Sequence, residues 1–201
     1  MPVINIREQK KALRARYKKL REACPPAVKQ ELDRRLRENF LSMPEYRRCE
    51  TLFSFVSGPA ECDTRAIIEQ AFRDGKRVAV PKCLERRGEM AFFYIRSFED
   101  TRRGAFGITE PDEACCERVT AYTNALCIVP GLCFDLQHYR VGFGGGYYDR
   151  FLERFRGITA GICFSRYTLG EVPRGAFDRR TDILVTEKFI DRNAIRNGDY
   201  E

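Results

Sequence analysis

Four glycines in five positions, Gly142, Gly144, Gly145 and Gly146, are the residues of this 201-residue sequence with the clearest chemical use. An apolar run at Ala125–Val129 reads as a buried strand that stops at Pro130-Gly131, and Tyr147-Tyr148-Asp149-Arg150-Phe151-Leu152 reads as the start of a helix. Strand, glycine loop and helix together present backbone N–H groups to an anion, and glycine lets the chain approach it closely and adopt positive φ. Arg140 enters the loop with a planar fork of donors suited to phosphate oxygens. Asp149 leaves it as a hard oxygen ligand of the kind Mg²⁺ prefers. The motif is neither a P-loop, which needs Gly-Lys-Ser/Thr, nor a dinucleotide fingerprint. From these residues alone, a phosphate cradle and a plain glycine turn before a helix both remain open.

Three further places carry chemistry. Eight Lys or Arg residues lie between Arg7 and Arg21 against one acid, Glu8. Lys10 and Arg14, four apart, are neighbours on one helical face, and with Arg21 they border the apolar stripe. That face is either solvated or the rim of a cleft. Glu61 stands just past the carboxyl end of a β-prone run, where ligands of open α/β sheets bind, and is otherwise a loop acid. Asp178 and Asp182 precede or begin the last apolar run, Asp182–Thr186.

The stretch Val129–Leu152, VPGLCFDLQHYRVGFGGGYYDRFL, closely resembles the signature of the 5-formyltetrahydrofolate cyclo-ligase (5,10-methenyltetrahydrofolate synthetase) family. The resemblance extends to KKALR at Lys10–Arg14, ECDT at Glu61–Thr64, GAFGITEP at Gly104–Pro111, and Asp178 with Asp182 before Thr186-Glu187. It implies ATP-dependent closure of 5-formyltetrahydrofolate to 5,10-methenyltetrahydrofolate, with Mg²⁺ and release of ADP and phosphate. Carried over residue by residue, it implies ATP binding by Lys10, Lys11, Ala12, Leu13 and Arg14, and by Arg140, Val141, Gly142, Phe143, Gly144, Gly145, Gly146, Tyr147 and Tyr148. It implies folate binding by Val56, Glu61 and Tyr147, catalysis by Arg140 and Tyr148, and a metal held by Asp149 and Asp182. Gly104–Pro111 reads as a structured turn without chemistry. The sequence departs from the pattern at His138 and Val141, and again at Phe177 and Arg180. His138, the only histidine, is expected to be a surface loop residue.

The elements that must position these groups follow from periodicity and punctuation. Ile4–Ala23 reads as an amphipathic helix with Ile6, Leu13, Tyr17 and Leu20 on its apolar stripe. Pro25-Pro26 opens a second helix with Val28, Leu32, Leu36 and Phe40 facing inward, ended by Met43-Pro44. Strands are expected at Thr51–Val56, Arg77–Pro81, Met90–Ile95, Ile158–Phe164 and Asp182–Thr186, with a helix from Asp63 or Thr64 to Arg73, stopped by Gly75, and another over Asp149–Phe155. Asp112–Thr123 reads as polar surface. Gly161 would admit close approach of another backbone. Strands alternating with helices predict one α/β domain over residues 1–201, a mainly parallel sheet sandwiched by helices. The resemblance implies the ribose-phosphate isomerase/CoA-transferase-like fold.

Composition narrows the class. The chain is 43% hydrophobic and 32% charged, with net charge +7, which favours an anionic small molecule or nucleic acid. No apolar stretch approaches the ~20 residues of a membrane span, and the N-terminus has no apolar core of a signal peptide, so a cytoplasmic protein without membrane partners is expected. Nine cysteines, odd in number, scattered and without a CxxC pair, read as reduced thiols, and one histidine argues against zinc. ATP and 5-formyltetrahydrofolate are the expected partners of a monomer. The alternatives are a sugar-phosphate isomerase or CoA-transferase-like enzyme, which needs a phosphate loop but not two metal-binding acids, and a nucleic-acid binder using the basic N-terminal helix, for which no further motif speaks.

Overall fold

A five-residue strand buried on both faces organises the fold. The computed structural model describes residues 5–104 and 107–193. In chain order its strands are β1 (Thr51–Phe53), β2 (Arg77–Cys83), β3 (Met90–Ile95), β4 (Thr101–Arg103), β5 (Thr109–Pro111), β6 (Ala125–Val129), β7 (Cys133–Asp135), β8 (Arg140–Val141), β9 (Ile158–Ile162), β10 (Thr168–Leu169), β11 (Ile183–Val185) and β12 (Ile190–Arg192). The helices are α1 (Ile6–Glu22), α2 (Pro26–Ser42), α3 (Pro44–Arg48), α4 (Arg65–Arg73) and α5 (Tyr147–Arg154). All five residues of β6 are buried, as expected of a strand covered on both faces.

One sheet has the order β12-β11-β9-β6-β1-β2-β3. Its five central strands are parallel, and β12 and β3 run antiparallel at the edges. The fold is therefore α/β with a mainly parallel sheet, as the alternation of elements predicts. Leu126 and Ile128 of β6 join Leu36, Phe40, Ile67 and Ile68 of α2 and α4 on one face. Cys127 and Val129 join Phe53, Phe92, Phe151 and Phe155 on the other, under α5. Small sheets β10-β7-β8 and β4-β5 complete the fold.

The order reverses between β6 and β1: the chain leaves β1 toward β2, and β6 returns on the opposite side. Ligands of open α/β sheets bind in the crevice beyond the carboxyl ends of strands at such a switch point. Two connections border it here, Ser54–Thr64 after β1 and Pro130–Gly146 after β6.

Several sequence expectations need correction. α1 begins at Ile6, capped by Asn5, whose side chain accepts from Arg7 and Glu8 N–H; Ile4 lies outside the described residues. Ile6, Leu20 and Val28 are exposed, so the inward stripes narrow to Leu13 and Tyr17 on α1 and to Leu32, Leu36 and Phe40 on α2. β1 ends at Phe53 because Ser54 begins a hydrogen-bonded connection, and β2 runs on to Cys83 because it pairs with β3. Within the polar stretch 112–123, Cys116 and Val119 are buried, because Glu117 and Val119 backbone groups pair with Tyr94 and Phe92 of β3. His138 is fully buried rather than on the surface. It adopts φ +66°, its ring approaches Thr181 O and the Asp191 carboxylate at 3.2 Å each, and Asn193 Nδ2 lies 2.9 Å away. The turn it occupies is closed by Asp135 Oδ1, which accepts from Gln137 and Tyr139 N–H at 2.9 Å, and the turn packs against the segment around β12. Phe177 lies out in solvent. The nine cysteines are free thiols.

Candidate active site

The connection after β1 is built by reciprocal hydrogen bonds. Thr64 Oγ1 accepts from Ser57 N–H at 3.0 Å and donates to Phe55 O at 2.6 Å, while Thr64 N–H donates to Ser57 Oγ at 3.1 Å. Asp63, not Thr64, caps α4, its Oδ1 accepting from Arg65 and Ala66 N–H. This frame buries Val56 and lets Glu61 Oε2 accept the Gly58 N–H at 2.8 Å. Burial pushes the Glu61 carboxyl above its usual range, against the opposing pull of the Gly58 N–H, Arg21 and Lys29.

The connection after β6 carries the glycines. Gly146, at φ +72°, is the N-cap of α5, and Gly144 has φ +102°; glycine adopts both conformations without a side-chain clash. Nothing stands within 4 Å of where a Gly142 Cβ would be, so the backbone there lies open to a ligand. Arg140, buried in β8, donates to Asp149 Oδ1 at 2.7 Å and to Arg179 O at 2.6 Å. Asp149 Oδ1 also accepts from Arg179 N–H at 3.3 Å.

The basic helix lies against this loop rather than pointing away from it. Arg14 Nε donates to Gly142 O at 2.9 Å, and Lys10 is ion-paired with Asp178. Leu13 and Tyr17 turn the same way into the core, while Lys11 and Ala12 are exposed. Arg21, read from sequence only as another cation beside the stripe, is buried and ties the two connections together. Its guanidinium donates to Leu132 O at 3.1 Å, Gly131 O at 2.6 Å and Ala60 O at 3.4 Å, and stacks 5.1 Å from the Tyr167 ring.

Tyr147 and Tyr148 open α5. The Tyr148 hydroxyl is buried with no hydrogen-bond partner. Burial pushes its pKa well up. An orphaned buried hydroxyl is an unusual feature of a native fold. Beside the segment Asp178–Arg180 lies a cavity of about 380 Å³, lined also by Tyr139, Leu152 and Thr159. The two acids expected to hold a metal flank it through their partners. Asp149 bonds to Arg179, and Asp182 Oδ2 accepts from Thr159 N–H at 2.9 Å and Thr159 Oγ1 at 2.6 Å.

The structure therefore brings Lys10, Arg14, Arg140, the glycines and Asp149 to one side of the switch point. Val56, Glu61 and Tyr148 stand on the other side or between, Phe143 projects from the loop tip, and Asp182 is set back at the amino end of β11. A model of the 5-formyltetrahydrofolate cyclo-ligase family matches residues 6–187. The chain belongs to that family. A Schizosaccharomyces pombe relative named "Probable 5-formyltetrahydrofolate cyclo-ligase" is 30% identical over 76% of this chain and 82% of its own. An Arabidopsis thaliana cyclo-ligase named as mitochondrial is 28% identical over 90% of this chain and 75% of its own. Among solved structures, a 5,10-methenyltetrahydrofolate synthetase from Aquifex aeolicus superposes with a TM-score of 0.81 at 32% identity, covering 96% of this chain and 95% of that one. The cyclo-ligase fold is thus the fold seen here, and the family uses ATP. No helix among the described residues is long and apolar enough to cross a membrane.

Proposed function

We propose that this chain is an ATP-dependent 5-formyltetrahydrofolate cyclo-ligase, converting 5-formyltetrahydrofolate to 5,10-methenyltetrahydrofolate with release of ADP and phosphate. The observation that carries the reading is the Tyr148 hydroxyl, buried and unpartnered in the first turn of α5, directly after the glycine loop that Arg140 and Arg14 border.

A formyl oxygen is a poor leaving group, and transfer of the γ-phosphoryl group to it makes a good one. N10 then attacks the formyl carbon, the C–O bond breaks and phosphate departs. The protein supplies position and charge complementarity. Lys10, Arg14 and Arg140 face the triphosphate, with the N–H groups of Gly142–Gly146 around it, and Lys11, Ala12, Val141 and Phe143 complete the nucleotide contacts. Glu61 accepts N–H groups of the pterin, Val56 and Tyr147 enclose its ring, and Tyr148 donates to the reacting end. Phosphate binding exchanges the Lys10–Asp178 and Arg140–Asp149 pairs for phosphate contacts.

Asp149 fits Mg²⁺: it is a partly exposed hard-oxygen donor directly after the glycine loop, and both of its hydrogen bonds fall on Oδ1. Asp182 is the second proposed ligand, and its bonds to Thr159 must yield for it to serve. The ion would neutralise charge on the phosphate oxygens. The chain acts as one domain over residues 1–201, as a cytoplasmic monomer. No observation favours a sugar-phosphate isomerase, a CoA transferase or a nucleic-acid binder.

The test mixes purified protein with Mg²⁺, ATP and 5-formyltetrahydrofolate and follows the near-ultraviolet band of the methenyl product. Product is expected with ATP, and none without it. Asp149→Ala is expected to abolish turnover and to raise the Mg²⁺ requirement of any residue of activity, and Arg140→Ala to raise the KM for ATP. Wild-type kinetics in either variant would remove that residue from the site.

A further inference from the structure

Cys115 and Cys116 stand side by side in the polar stretch that follows the β4–β5 hairpin. Cys115 is exposed, Cys116 is buried, and their sulfurs lie 3.8 Å apart. The backbone fixes where both side chains leave the chain. Asp112 O accepts from Cys115 N–H at 3.1 Å and from Cys116 N–H at 3.0 Å, and Asp112 N–H donates to Asp100 O at 2.9 Å. Asp112 Oδ1 accepts from Ala114 N–H at 3.1 Å. Just downstream, Glu117 O accepts from Tyr94 N–H at 2.9 Å and Val119 N–H donates to Phe92 O at 2.8 Å, which pins the exit of the turn on β3. The pair is thus carried on a turn held at both ends.

The thiols themselves are weakly committed. Cys115 Sγ donates to Asp112 O at 3.5 Å, and Cys116 Sγ to Asp100 O at 3.4 Å. Both carbonyls keep a backbone N–H donor when the S–H turns away, so reorienting either sulfur orphans no polar group. Burial, and then the neighbouring Cys115 thiol, push the Cys116 thiol up to about 11, so at neutral pH it keeps its proton. Of the other thiols, Cys49, Cys62, Cys127, Cys133 and Cys163 are buried, and Cys24 and Cys83 are half-buried. Cys115 is therefore the sulfur that a reagent in solution meets first.

Two closures are chemically open to such a pair. A direct disulfide needs the sulfurs at about 2.0 Å and sits most easily on Cα atoms more than about 4.4 Å apart. Consecutive residues hold their Cα atoms roughly 3.8 Å apart, so the direct bond is strained. An atom bonded to both sulfurs removes that demand, because the sulfurs need not touch. A divalent metal needs further ligands, and among the described residues no group of three or more His, Cys, Asp or Glu side chains is placed to hold one. A soft trivalent centre that brings its own third substituent needs two sulfurs and nothing else.

We infer that Cys115 and Cys116 form a binding site for trivalent arsenicals that carry one organic group. The step is a condensation without change of oxidation state. The arsenic–oxygen bond breaks, two arsenic–sulfur bonds form, and the two thiol protons leave with the oxygen as water. Cys115 reacts first, and Cys116 closes the ring from the protein side. Nothing in the site depends on the reaction proposed above.

The experiment treats the native protein, reduced and then freed of reductant, with phenylarsine oxide. It follows intact mass and the alkylation of each cysteine by iodoacetamide. Wild type is expected to take up one phenylarsenic group per chain, to keep it in excess 2-mercaptoethanol and to release it to 2,3-dimercaptopropanol. The tryptic peptide 104–118 contains both cysteines and no other, and its alkylation at Cys115 is expected to disappear while the adduct is present. Cys115→Ser and Cys116→Ser are each expected to bind the arsenical about 10²-fold more weakly, through loss of the second, intramolecular bond, and to release it to the monothiol. Cys115 faces solvent, so its variant tests the site even where Cys116→Ser disturbs the turn. A wild type that takes up no arsenical would overturn the site, as would an adduct that the monothiol strips or one that Cys115→Ser retains at full strength.

Discussion

At the residue scale the decisive groups are those that the fold holds in an unfavourable state. Tyr148 keeps a buried hydroxyl without a partner, which for a purely structural tyrosine would be a defect. Tyr148→Phe is accordingly expected to leave stability unchanged or raise it by up to about 1 kcal/mol. It should lower kcat/KM by about 10²-fold, the size of one lost transition-state donor. Denaturant melts beside steady-state kinetics check this, and a variant that is less stable but fully active would contradict it. Glu61 is the second such group. Its folded-state pKa is raised by burial, so the native state binds its proton more readily than the unfolded chain does. The sign follows: the protonated form favours folding below the ordinary carboxylate range, and this contribution is lost as pH rises through the raised folded value. Glu61→Gln is expected to gain stability relative to wild type between acidic and neutral pH, read from denaturation midpoints at each pH. The KM for folate in wild type should rise as pH falls through the same window, because a protonated carboxyl no longer accepts a pterin N–H, whereas the KM for ATP should not.

At the element scale, α5 joins the loop to the core. Phe151 stacks within 4.6 Å of Phe92, 5.2 Å of Phe155 and 5.7 Å of Tyr122, and so fixes the helix whose first turn holds Tyr147, Tyr148 and Asp149. Phe151→Ala is expected to cost about 3–5 kcal/mol and to lower the melting temperature, with activity falling as α5 loses its seat; a Phe151→Leu variant should recover most of both. The long elements were legible from sequence: α2, β3, β6 and α5 fall within a residue or two of their expected bounds, since apolar period and Pro or Gly stops govern them locally. The three-stranded sheet β10-β7-β8, the edge strand β12 and the hairpin β4–β5 were not legible. They are two or three residues long and exist because a partner strand offers its backbone, and periodicity carries no record of that. His138 was misplaced, and the partners of Arg21 went unread, for a related reason. A polar side chain on a basic helix or in a turn reads as solvated unless the distant carbonyls and acids that satisfy it are known. The motif residues were legible because their grouping in sequence is also their grouping in space around one loop.

At the scale of the whole molecule, the strand order reverses between the parallel neighbours β1 and β6, and every candidate residue but Asp182 is carried to the carboxyl side of that switch point. α1 crosses it, anchored by Arg21 to both connections and by Arg14 to the glycine loop. Arg21→Met is expected to lose about 2–4 kcal/mol through three carbonyls left without their donor, and to raise the KM of both substrates together by loosening the crevice. A variant affecting one substrate only would place Arg21 on that substrate rather than between the two connections. The account stands on where the triphosphate lies, and a structure of the protein with a non-hydrolysable ATP analogue and Mg²⁺ measures that directly. The phosphates are expected within hydrogen-bonding distance of the Gly142–Gly146 N–H groups and the Arg14 and Arg140 guanidiniums, with the metal on Asp149. A triphosphate bound anywhere else on the molecule would contradict it.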